Sequence, residues 1–133
     1  MTDAYVEVYG RTLNAVFEEA AFAMFDVMTD PNAVKPDFTD TFEVSAHDQV
    51  SLFHDWLERL LLQFDLDGKV YSKFQVEKIE ERDEELRLFA KAQGGLFEKA
   101  RHPAKVEIKA VTYHRMEVGV TQKGYVARFI LDL

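Results

Sequence analysis

Apolar and polar positions alternate with period two across residues 3–9, with Ala4, Val6 and Val8 on one face and Asp3, Tyr5, Glu7 and Tyr9 on the other. That period belongs to a half-buried strand, which Gly10 ends. The spacing then turns helical. Leu13, Val16, Phe17, Ala20, Met24 and Val27 follow Thr12, whose hydroxyl can cap the first turn, and the pattern stops ahead of Pro31. Glu18, Glu19 and Asp26 fall to the solvent side. A polar loop at residues 32–40 leads to a short strand at residues 41–45. A second helix is predicted from Ser45 or His47, with Ser45 and Asp48 spaced as in a capping box. Its stripe is Val50, Phe53, Trp56, Leu57, Leu60, Leu61 and Phe64, the sharpest amphipathic pattern in the chain.

The rest reads as strands. Residues 70–79 and 86–92 flank a charged turn at 80–85, a hairpin signature, and Gly94-Gly95 opens a loop running through His102-Pro103. A long strand spans residues 106–120, with a turn at Gln122-Lys123-Gly124 and a last strand at 125–133. Within the long strand, alternation puts Ile108, Ala110, Thr112, His114, Met116 and Val118 on the core side. Glu107, Lys109, Val111, Tyr113, Arg115 and Glu117 face the other way. Two helices and about seven strands, mostly in hairpins, predict a single α+β domain over residues 1–133, its helices packed on a mostly antiparallel sheet.

Charge narrows the function. The 16 basic and 24 acidic residues give a net charge of -8. A chain this acidic is poorly suited to gripping phosphate backbones, which takes clustered Lys and Arg; a basic protein partner or a bound cation suits it better. Cysteine is absent, so thiolate metal sites and disulfides are excluded, as fits a cytoplasmic protein. The first residues lack a signal-peptide pattern and no apolar run reaches membrane-spanning length.

Few residues point to catalysis. Asp65-Leu66-Asp67-Gly68 resembles the opening of a calcium loop but lacks the later acidic ligands, and reads as a helix-to-strand turn. His47, His54, His102 and His114 have no spacing that sets two imidazoles on one face for zinc. His114 reads as a hydrogen-bonded core histidine and His102 as a loop residue. The chain ends say more. If the first and last strands neighbour each other antiparallel, Asp3 comes beside Asp132, with the carboxylate of Leu133 close by, and such a cluster calls for protons or a hard cation.

The block Lys109-Ala110-Val111-Thr112-Tyr113-His114 after Glu107, the closing Ile130-Leu131-Asp132-Leu133, and Tyr9-Gly10-Arg11-Thr12-Leu13 leading into residues 21–28 resemble the archease family. So do Asp55-Trp56-Leu57 and Arg101-His102, in order and with matching spacing along the chain. The resemblance implies a small cytoplasmic protein, a monomer or weak oligomer, that is no ligase itself. It would assist an RNA-splicing ligase of the RtcB type by promoting that ligase's guanylylation and multiple turnover, meeting RNA only through it. A general chaperone for RNA-processing proteins and a metal-dependent hydrolase are the alternatives. The family's divalent-cation site, for calcium first with magnesium or manganese as alternatives, carries over to Asp3, Asp132 and Leu133. Lys109, Thr112 and His114 lie in the signature strand near that end, with Lys109 a functional residue that is not a ligand. The family's longer first strand and the His of its His-Thr-Ala-Asp lead-in are not present before Asp3, which implies either an abbreviated start or a trimmed first strand, and Asp3 keeps the seven-residue step to Gly10.

Overall fold

A computed structural model describes residues 2–133. Six strands and two α-helices are present among them: β1 (Asp3–Gly10), α1 (Leu13–Met28), β2 (Phe38–Ala46), α2 (Gln49–Asp67), β3 (Lys69–Arg82), β4 (Glu85–Leu96), β5 (Ala110–Thr121) and β6 (Gly124–Asp132). The strands form two antiparallel three-stranded sheets, ordered β1-β6-β5 and β2-β4-β3, so the α+β reading holds with the strands divided between two sheets. Each helix touches both sheets. The helices are therefore the shared core.

That position explains why α1 buries more than a stripe. Val16, Ala20 and Met24 form one row and Phe17, Ala21, Phe25 and Met28 the next, all buried, because a helix between two sheets needs two apolar faces. Phe17, Phe53 and Phe129 tie α1, α2 and β6 together edge-to-face, with centroids 5.1 and 5.5 Å apart. The Trp56 indole N–H donates to the Phe17 carbonyl at 3.0 Å, linking the helices in the interior. Glu18, expected in solvent, is half-buried, and its carboxylate accepts the Val76 N–H at 2.7 Å, just where β3 bulges against β4.

Other boundaries move for local reasons. Thr12 caps α1 as expected, accepting from the Ala15 N–H at 3.0 Å. Ser45 does not begin α2: it belongs to β2, opposite Arg87, and His47 lies in the turn that follows. Asp48 is the N-cap, accepting from the Ser51 N–H at 2.7 Å, so no capping box forms. At the other end Gly68 adopts φ 69°, the left-handed cap that glycine reaches without a Cβ clash, which confirms the turn reading of residues 65–68. Gly94 and Gly95 do not open a loop. They pair with Tyr71 and Val70 inside the sheet, and a Cβ on Gly94 would lie 2.0 Å from the Val70 carbonyl oxygen. The charged hairpin turn contracts to Asp83 and Glu84, both with positive φ.

Candidate functional site

β6 is the central strand of the first sheet, and its register fixes what meets at the end of the chain. Asp3 on β1 is opposite Asp132, and Ala110 on β5 is opposite Asp132 from the other side. Directly opposed residues in an antiparallel pair share a face, so the two carboxylates stand side by side. It is the outer face: Val6, Val8, Ala127, Phe129 and Leu131 point to the helices and belong to the core. Asp3 is exposed and Asp132 half-buried, and among the described residues neither carboxylate has an ion-pair or hydrogen-bond partner. The main chain holds the row shut, with the Lys109 N–H on the Asp132 carbonyl and the Leu133 N–H on the Thr2 carbonyl, both at 2.7 Å. Further along this face Arg128 bonds Glu7 at 2.6 Å and Glu117 at 3.0 Å.

The long strand differs from its reading. Ladder pairing starts at Ala110, so residues 106–109 lie outside it. Thr112 pairs with Ile130, and the next pair is Glu117 with Arg128, so four residues of β5 stand against one of β6. Arg115 takes φ 56° in this bulge, and the Thr112 hydroxyl accepts the His114 N–H at 3.0 Å within it. Val111, not Ala110 or Thr112, is buried before the bulge, and Met116 after it. His114 is exposed, so the core-histidine reading is wrong. The bulge lifts residues 113–115 out of the sheet. Lys109 is exposed beside Asp132, and Thr112 is half-buried.

A second cluster went unnoticed in the sequence. His54, buried on α2, places its Nε2 2.8 Å from the Val111 carbonyl oxygen. Its Nδ1 lies 3.0 Å from an Asp55 carboxylate oxygen and 3.6 Å from one of Glu58. Tyr113, raised by the bulge, stacks on the imidazole at 3.8 Å and 14°, its hydroxyl 3.5 Å from Asp55. Partial burial, and then the Asp55 charge, push the Tyr113 phenol up from its ordinary range. One donor atom from each of His54, Asp55 and Glu58 lies within 4.8 Å of the others, so this group could hold a metal ion. The legible signal was the His54–Glu58 step of four on one helix face; a search for paired histidines passes over it. His102 is also buried, its Nδ1 accepting the Glu98 N–H at 2.9 Å, a structural role in the loop.

Comparison with known proteins decides the family. The archease protein family (MTH1598/TM1083) matches residues 1–133. The chain belongs to the archease family. Its relatives include the archease of Methanothermobacter thermautotrophicus, 44% identical over 132 residues, with 98% of this chain and 92% of that protein covered. The archease of Methanopyrus kandleri is 37% identical over 131 residues, covering 98% and 93%. Among solved structures, Methanobacterium thermoautotrophicum protein 1598 superposes with a TM-score of 0.88 at 41% identity, covering 100% of this chain and 94% of that one. An archease from Thermotoga maritima, described as a possible chaperone, shares the fold at TM-score 0.63 and 16% identity, covering 99% and 91%. Among the described residues, no helix is long and apolar enough to cross a membrane.

Proposed function

We propose that this archease is a protein cofactor of an RtcB-type RNA-splicing ligase, promoting the ligase's guanylylation and multiple turnover from a cation-organised acidic end, without catalysing ligation itself. The observation that carries the reading is the opposed pair Asp3 and Asp132 on an outer sheet face, unpartnered among the described residues, in a chain of this family. Two hard carboxylate donors beside main-chain oxygens suit calcium, or magnesium or manganese. The donors fit. Asp3, Asp132 and the main-chain oxygen of Leu133 would hold the cation, which would neutralise the paired charge and present a positive centre to a partner's phosphate-binding site. Lys109, bonded through its N–H to the Asp132 carbonyl, adds an exposed ammonium beside the row and is proposed to act there without ligating. Thr112 and His114 contribute through the bulge that they brace. The net charge of -8 supports contact with a basic protein surface, with RNA reached only through the ligase, in the cytoplasm.

A multiple-turnover ligation assay with the ligase of the same organism tests this. The wild-type archease should raise turnover, and Asp132→Ala should abolish the rise while remaining folded by circular dichroism. Undiminished stimulation by Asp132→Ala rejects the mechanism. Suppressed aggregation of several unrelated proteins, independent of Asp3 and Asp132, would instead support a general chaperone.

A further inference from the structure

The α2 cluster has chemistry that the terminal row lacks. His54 Nε2 faces the carbonyl oxygen of Val111, which can only accept, so Nε2 carries a proton. The side chain is 8% exposed and stacked under Tyr113, which holds the ring in this orientation. Its other nitrogen, Nδ1, is thereby aimed between Asp55 and Glu58. A lone pair on Nδ1 at that distance from two carboxylates is repelled by both, so the site calls for positive charge among the three, which either a proton on Nδ1 or a bound cation supplies.

The geometry points to a divalent transition-metal site formed by His54 Nδ1 and the carboxylates of Asp55 and Glu58, chemically distinct from the all-oxygen row at Asp3 and Asp132. An imidazole nitrogen with two carboxylates selects borderline ions such as zinc or cobalt over calcium. The Val111 carbonyl plays the part that such a partner takes for ligating histidines, accepting the far N–H so that orientation and tautomer are set before the metal arrives. Asp55 and Glu58 have side chains 41% and 61% exposed, free to close on an ion from the solvent side. Three protein ligands leave a coordination position open. The two carboxylates also line a groove of about 400 Å³ between β2 and α2, with Glu43, Val44, Ser45, Arg59 and Leu62. The site stands independently of the ligase reading.

Zinc binding by equilibrium dialysis, and the visible absorption of bound cobalt, test the proposal on the full chain. With calcium in excess to fill the Asp3 and Asp132 row, one zinc or cobalt ion should bind per wild-type molecule, cobalt showing the d–d bands of a nitrogen–oxygen site. Glu58→Gln should weaken binding by at least about tenfold. So should His54→Gln, whose amide N–H can still reach the Val111 carbonyl. Glu84→Gln, in the β3–β4 turn, should bind zinc as the wild type does. Absent zinc binding at micromolar concentration overturns the site. So does affinity unchanged by both the Glu58→Gln and His54→Gln variants, or affinity lost with Glu84→Gln. The exposed Glu58 side chain keeps the test valid if His54→Gln fails to fold.

Discussion

Replacing Asp132 with Asn separates the two consequences of opposing it to Asp3. Directly opposed residues of an antiparallel pair have Cβ atoms about 5 Å apart. At that separation, in a water-like dielectric, two unit charges repel by about 0.8 kcal/mol. Asparagine keeps the shape and removes the charge. In chelator, then, Asp132→Asn should be as stable as the wild type or more stable by up to about 1 kcal/mol. Calcium should reverse the order. An ion present at a hundred times its dissociation constant stabilises the folded state by about 2.7 kcal/mol, an increment that the variant, with one carboxylate fewer, should largely lose. The assay is urea unfolding followed by far-ultraviolet circular dichroism, each protein measured with EDTA and with excess calcium. A variant less stable than the wild type in EDTA would refute the repulsion. Equal calcium increments in both proteins would refute the assignment of Asp132 as a ligand. No increment in the wild type would remove the site altogether.

Trp56→Phe should cost about 2–3 kcal/mol, from a net buried hydrogen bond of about 1 kcal/mol and lost ring contacts at about 0.8 kcal/mol per buried carbon. The Phe17 carbonyl sits mid-helix and keeps its backbone partner, so no orphaned acceptor is added, and a urea-derived loss below about 0.5 kcal/mol would show that the helix-to-helix bond carries little. Acid titration tests the cap of α2. The Ser51 N–H, chief among its bonds, holds the Asp48 carboxyl below its ordinary value of 3.8. A lowered folded-state value means that the contribution is complete above the ordinary value and is lost as pH falls through the lowered one. Asp48→Asn keeps the capping oxygen without titrating, so its urea midpoint should fall less than that of the wild type below about pH 4; parallel falls would refute the assignment.

Elements whose pattern is local were legible. Thr12 and the stripes of α1 and α2 depend on residues three or four apart, and both helices formed over those stripes, while the second buried row of α1, Ala21, Phe25 and Met28, was not read. The pairing of Asp3 with Asp132 was also accessible, because β1 alternates cleanly and no residue interrupts its ladder with β6. What could not be read were choices made by distant partners. Ser45 is a reasonable cap by type, but the sheet took it as a rung opposite Arg87 and left capping to Asp48. Gly94 and Gly95 look like loop residues, yet they are inside β4 because the backbone of β3 comes too close for a side chain. His54 offered no paired imidazole. Its role depends on Val111, which lies 57 residues away.

The β5 bulge explains both the misreading and the layout of charge. Four residues against one means three extra, and an odd number reverses which parity faces the helices. Before the bulge the buried position is Val111, opposite Leu131; after it they are Met116 and, half-buried, Val118, opposite Ala127. A strand read as one unbroken alternation must therefore be wrong on one side, and here it was wrong at Ala110, Thr112 and His114. The same insertion carries Tyr113 out to the edge of the sheet, over His54, while the ladder below it stays in register to Asp132. One irregularity thus serves two places: the carboxylate row remains on the outer face of the sheet, and the histidine cluster is roofed on the α2 side. A continuous ladder in the register of Val111 with Leu131 would set His114 opposite Arg128 on the outer face and Tyr113 opposite Phe129, so the stacking of Tyr113 on His54 depends on the bulge.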